Sequence, residues 1–236
     1  MTRPVAHPSM PWAVRPVVSA VLLAMSGVAW PLPQLGSNPG GGITTSTANN
    51  VLTVTQAHNK PVAELLWTSF SINSNERVNF IQPDGSALIL NRITGQNPST
   101  IMGQLQANGR IVLINPNGIV FSAGSVVNTG ALLATTLGLE PGSNLSNRQL
   151  SLGGNGGSIE VHGNITTADL ALIAPQISVG ETARINANGT GAQVQLIAAG
   201  SAQADLSGNW IALQVVEGVD AAFLSCSAPA VSLRLC

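Results

Sequence analysis

Charge is scarce in this sequence. Asp, Glu, Lys and Arg make up 8% of it, against about 25% in an ordinary globular domain. A disordered chain would carry more charge and fewer aliphatic residues, and surface helices would show Glu, Lys and Arg on their wet faces. Neither describes the chain. Large aromatics are also few, with 4 Phe, 4 Trp and no Tyr, so rings cannot dominate a core. With no basic stripe and no aromatic platform, nucleic-acid binding is excluded as the expected role. No stretch approaches the roughly 20 apolar residues that span a bilayer. There are only 2 cysteines, Cys226 and Cys236. Without His or Cys partners at ligand spacing they make no zinc site. In an oxidising compartment they could close a small loop, the alternative being a pair of free thiols in a frayed tail. His58 and His162 are isolated, so no metal or cofactor is expected.

What is present is aliphatic and turn-rich: 44% apolar residues and 25 Gly, with Asn, Ser and Thr throughout. The N-terminus reads as a secretory signal peptide of residues 1–29. Arg3 and Arg15 are its positive region, Val17 to Val28 its apolar stretch, and Gly27 and Ala29 the small residues before a cut after Ala29. Its removal leaves 7 Lys and Arg against 10 Asp and Glu. Residues 30–50 form a small, polar stretch leading into a cap.

Beyond that stretch, strand-length runs end repeatedly in Gly, Asn or Pro. Examples are Val51–Thr55, Arg77–Ile81, Arg110–Ile114, Ala131–Thr136, Leu170–Ala174 and Gln193–Ala198. Few windows hold a helical period, so the fold class is all-β. Leu170–Ala174 is echoed by Val194–Ala198, 24 positions on, and Ile159–Val161 by Ile177–Val179, 18 positions on. A helix-free period near 20 residues is what one turn of a β-solenoid needs. Its strands point alternate side chains inward, its turns need residues that tolerate positive φ, and only stacking buries the apolar face. Counting residues predicts roughly nine coils in a rod of about 43 Å. The competing architecture is a β-sandwich, whose strands would echo one another less.

Three segments carry a family resemblance. They are Phe70–Ile72 with Glu76–Pro83, Leu90–Gly95 with Ser99–Leu105, and Ala107–Ile119, which contains Asn115-Pro116-Asn117-Gly118-Ile119. Together they resemble the N-terminal secretion domain of filamentous haemagglutinin-type exoproteins, the exported partners of two-partner secretion. That resemblance implies a right-handed parallel β-helix with an N-terminal cap over residues 51–222, while the last stretch, 223–236, loses the solenoid rhythm and reads as an irregular tail. It implies export through the periplasm of a Gram-negative bacterium and recognition by an outer-membrane β-barrel transporter. Adhesion at the cell surface, through a host receptor or glycan, is the implied downstream role. The upstream Asn-Pro-Asn-Leu element of many members is missing, and Gln82-Pro83-Asp84-Gly85 stands there. A truncated fragment of a larger adhesin is one alternative.

Asn115, Pro116, Asn117, Gly118 and Ile119 are the first candidate site, either as a turn that shapes a coil or as a contact for the transporter. Asn91 and Arg92 carry the same two readings, with a salt bridge the simpler role for Arg92. The other alternative is a glycan-cleaving β-helix enzyme, which would need carboxylates clustered on neighbouring coils. Glu160 and Glu181 are spaced to stack that way, but no aromatic sugar platform accompanies them, and the chain reads as no enzyme. Gly153-Gly154-Asn155-Gly156-Gly157 lacks the spacing of a phosphate loop and reads as a flexible turn.

Overall fold

The computed structural model describes residues 32–38, 40–209, 211–218 and 223–226. The signal segment, its cleavage point and Cys236 lie outside the described residues. Among those described, the chain forms 22 strands and no helix. Most strands alternate buried and exposed residues, as half-buried strands do.

Two antiparallel strands begin the fold, β1 (Gln34–Ser37) and β2 (Ile43–Ala48). Six coils follow, visiting three parallel sheets in the order B, A, C, with a strand in each except where coil 1 meets sheet C. Coil 1 holds β3 (Val51–Gln56) and β4 (Val62–Ser69), and reaches sheet C through a bridge from Ile72 to Ile101. β2 lies antiparallel on β3 and β1 on β4, which closes this end. Coil 2 is β5 (Arg77–Ile81), β6 (Leu88–Ile93) and β7 (Ser99–Ile101). Coil 3 is β8 (Gln104–Ala107), β9 (Arg110–Ile114) and β10 (Ile119–Phe121).

Coil 4 starts with β11 (Val126–Thr129) and β12 (Ala131–Thr135). The chain then leaves the solenoid as β13 (Gly138–Leu139) and β14 (Gln149–Gly153), and returns as β15 (Ser158–Val161). Coil 5 is β16 (Asn164–Thr167), β17 (Leu170–Ala174) and β18 (Gln176–Val179). Coil 6 opens with β19 (Arg184–Ala187) and β20 (Val194–Asp205). Residues Val194–Ala198 of β20 stay in sheet A beside β17. Ser201–Asp205 turn away and pair antiparallel with β14 and with β21 (Ala212–Gly218). β22 (Phe223–Cys226) ends sheet C. Among the described residues the outer edges of β19 and β22 carry no further strand.

Stacking puts like on like. In sheet A the inward ladder runs Leu65, Asn91, Leu113, Ala134, Leu172, Leu196. In sheet B it runs Leu52, Val78, Leu105, Val127, Ile165, Ile185. Each buried aliphatic side chain is worth roughly 1.5–3 kcal/mol over its exposed state. Sheet A is buried on both faces. Its outer row of Leu88, Leu90, Val112, Ile114, Leu133, Ala171 and Ile173 packs under a lobe built from β13, β14, the end of β20 and β21. The lobe contributes Leu150, Leu152, Ala202, Ala204, Leu206 and Ile211.

Two expectations need correction. Six coils form rather than nine, spanning five ladder steps or roughly 24 Å, because the cap and lobe consume residues that a uniform 20-residue period assigns to coils. β22 also carries parallel pairing into residues read as an irregular tail. The two sequence echoes are ladder neighbours, Leu170–Ala174 on Val194–Ala198 and Ile159–Val161 on Ile177–Val179.

Candidate functional site

The Asn-Pro-Asn-Gly segment turns the chain from sheet A to sheet C in coil 3. Gly118 N–H donates to the Asn115 carbonyl at 3.1 Å, closing a four-residue turn. Gly118 has φ +122°, a conformation side-chain-bearing residues rarely adopt. Asn115 is fully buried. Its Nδ2 donates to the Asn97 carbonyl at 3.0 Å and to Ser99 Oγ at 2.9 Å, both on coil 2. Its Oδ1 accepts from the backbone N–H and the Nδ2 of Asn117, each at 3.0 Å. Its own N–H donates to the Thr135 carbonyl of coil 4 at 3.0 Å. One side chain and its backbone therefore tie three coils at one corner. Pro116 and Asn117 are exposed, while Ile119 is buried in the core. Asn117 Nδ2 also reaches the Gly95 carbonyl at 2.9 Å.

The glycine run of coil 4 completes the corner. Gly157 N–H donates to the Pro116 carbonyl at 2.8 Å. A Cβ on Gly157 would stand 2.7 Å from the Asn117 carbonyl oxygen, and one on Gly156 would overlap the Thr136 carbonyl. Of the run read as a flexible turn, Gly156 and Gly157 are a packing surface against the Asn115 corner, while Gly154 stands in open space. The signal was its composition, which says where a backbone is approached closely but not by what.

Asn91 and Arg92, adjacent in β6, face opposite sides of sheet A. Asn91 points inward and is fully buried. Its Oδ1 accepts from Trp67 Nε1 at 3.0 Å, and its Nδ2 donates to the carbonyls of Val112 and Ile89 at 3.2 and 3.3 Å. Trp67 is itself buried and meets Phe70 edge to face at 5.3 Å. Arg92 points outward, with Nε 3.6 Å from Glu64 Oε1.

The stacked carboxylates do not form. Glu160 is laddered to Ser178, and Glu181 lies beyond the end of β18. His162 stands 3.6 Å from Glu160. Among the described residues no three of His, Cys, Asp and Glu converge on a metal-sized site.

The fold is that of a capped parallel β-helix domain. Residues 31–209 match the model of the TPS secretion domain, and the chain belongs to that two-partner secretion family. It is 40% identical over 129 residues to a heme/hemopexin-binding protein of Haemophilus influenzae strain Rd, covering 52% of this chain and 14% of that one. A second protein of that name from H. influenzae is 38% identical over 137 residues, 56% of this chain and again 14% of the other. The chain thus spans about a seventh of the curated relatives it matches. Among solved structures, the HMW1 secretion domain from H. influenzae superposes with a TM-score of 0.68 at 25% identity, over 80% of this chain and 50% of that one. The filamentous hemagglutinin secretion domain gives a TM-score of 0.54 at 17% identity, over 81% and 72% of the two chains.

Proposed function

We propose that this domain is the export address of a longer exoprotein, cut after Ala29 in the periplasm and then read by an outer-membrane β-barrel transporter. The observation that carries the site assignment is the division of labour at the Asn115 corner. Asn115 has no exposed surface, so it acts on the coil. Pro116 and Asn117 are exposed and available to a partner. The domain is non-catalytic in this reading, and whatever the exported protein binds outside is a property of the passenger. Adhesion is the role implied by likeness to the haemagglutinin type, whereas the two curated relatives carry names for heme and hemopexin binding.

The test is secretion of the chain with and without a co-expressed two-partner transporter, assaying the medium for protein beginning at Trp30. Transporter-dependent release is expected. Periplasmic retention with the cognate transporter present would overturn the proposal. Within the same assay, Asn115→Ala should lose secretion together with about 2–3 kcal/mol of stability, because buried partners on coil 2 are left unpaired. Pro116→Ala should leave the urea midpoint nearly unchanged, so a secretion defect there would report contact with the transporter.

A further inference from the structure

The lobe over sheet A touches the coils through two kinds of contact. One is the apolar seam described above, where the lobe sets Leu150, Leu152, Leu206 and Ile211 and the smaller Ala199, Ala202 and Ala204 against sheet A. The other is a set of polar tethers gathered at the loop Leu206–Ile211. Arg110, outward on β9 and buried, donates from a guanidinium nitrogen to the Leu206 carbonyl at 2.7 Å across 96 residues of chain. Asp169, buried just before β17, accepts the Ile211 N–H on Oδ2. Gln195 Nε2 donates to the Ile211 carbonyl at 2.7 Å. On the other side of the lobe, Leu206 N–H donates to the Arg148 carbonyl at 2.9 Å, and the Arg148 guanidinium reaches the Ser86 carbonyl at 2.7 Å. The loop is therefore pinned at both ends by side chains from coils 3, 5 and 6, and its neighbour is pinned to coil 2.

The pairing pattern separates the lobe from the coils. Its strands are antiparallel and β14 and β21 pair only with lobe residues and the far half of β20. No ladder bond of coils 1 to 5 has to break for it to lift. We propose that the lobe is a clasp, a unit that opens and closes over the outer face of sheet A while the solenoid stays folded, and that Arg110 and Asp169 are the two pins that keep it shut. Opening would uncover Leu90, Val112, Leu133 and Ile173, the centre of the apolar outer row of sheet A. This inference concerns the folded domain and is independent of what reads it during export.

Amide hydrogen exchange on the purified domain tests it. In Asp169→Ala and in Arg110→Met, amides of 201–205 and 212–217 should exchange at least tenfold faster than in wild type. Amides of 111–114, 127–129 and 165–167 should keep their protection. Asp169→Asn, which retains an acceptor for the Ile211 N–H, should restore slow exchange in the lobe. Uniform acceleration across lobe and coils would show a single cooperative unit and overturn the proposal, as would unchanged exchange in both variants. Should either variant fail to fold, wild-type exchange in low urea decides. A clasp requires lobe amides to exchange through an opening with a smaller urea dependence than the coil amides, and equal dependence overturns it.

Discussion

An asparagine without access to water must find a partner for each polar atom, and Asn91 and Asn115 meet that demand differently. Asn115 spends its Nδ2 hydrogen bonds on the neighbouring coil and its Oδ1 on Asn117 of its own turn, which together fix a corner. Asn91 spends one on the indole of Trp67, which lets the bulkiest side chain of the interior sit there without an unpaired N–H. Asp169 is the residue whose chemistry should show in solution. Burial pushes its carboxyl up from the ordinary value, against the pull of backbone N–H donors and the Arg110 charge. Because the folded state holds that proton more tightly than the unfolded chain, stability from this group is full below the unfolded value near 3.8. It is then lost as pH rises through the raised folded value. The surface carboxyls Asp84 and Asp205 are lowered by their Ser86 and Ser207 hydrogen bonds and work in the opposite sense. Urea titrations of wild type and Asp169→Asn isolate the effect: the wild type should lose stability relative to the variant as pH rises above the unfolded value near 3.8. Parallel curves over that range would contradict the assignment.

At the scale of elements, the cap decides how the first coil avoids pairing with another molecule. β3 and β4 are central strands only because β2 and β1 lie on them, and a bare strand edge recruits other chains. Removing residues 32–48 should therefore leave coils 3 to 6 folded but shift the domain to dimers and larger species in size-exclusion chromatography. A monomeric truncated domain would mean the edge is protected in another way. The legibility of the elements also sorts by how their aliphatic residues are spaced. Arg77–Ile81, Arg110–Ile114 and Leu170–Ala174 could be read to the residue, because consecutive or alternating aliphatics mark them. β8, β11 and β16 escaped notice, since each buries little more than one aliphatic side chain, Leu105, Val127 or Ile165, among Gln, Asn and Thr. The lobe was illegible for another reason. β14 and β21 look like any other strands in sequence, and nothing local says that they pair antiparallel outside the solenoid. The Asn115 turn was legible as a turn, while its hold on Ser99 and Thr135 depends on which coils become neighbours.

At the scale of the whole molecule, the shortage of charge becomes a property. Among the described residues the opposite-charge contacts are Arg92 with Glu64 and, when the imidazole is protonated, His162 with Glu160, both partly exposed and both at 3.6 Å. Pairs of this kind contribute about 0–1 kcal/mol and are screened by salt. Stability rests instead on ladder hydrogen bonds and stacked aliphatics, so moving from low salt to 1 M sodium chloride should cost no more than about 1 kcal/mol in urea unfolding. A larger loss would point to ionic support that the two pairs do not explain. The two ends of the solenoid are chemically unlike. One is stopped by strands that run against the grain of the sheets, and among the described residues the other presents β19 and β22 with the grain and uncovered. Like a filament with a blocked and an open end, such a body offers a template for any further coil at β19 and β22 and none at the capped end.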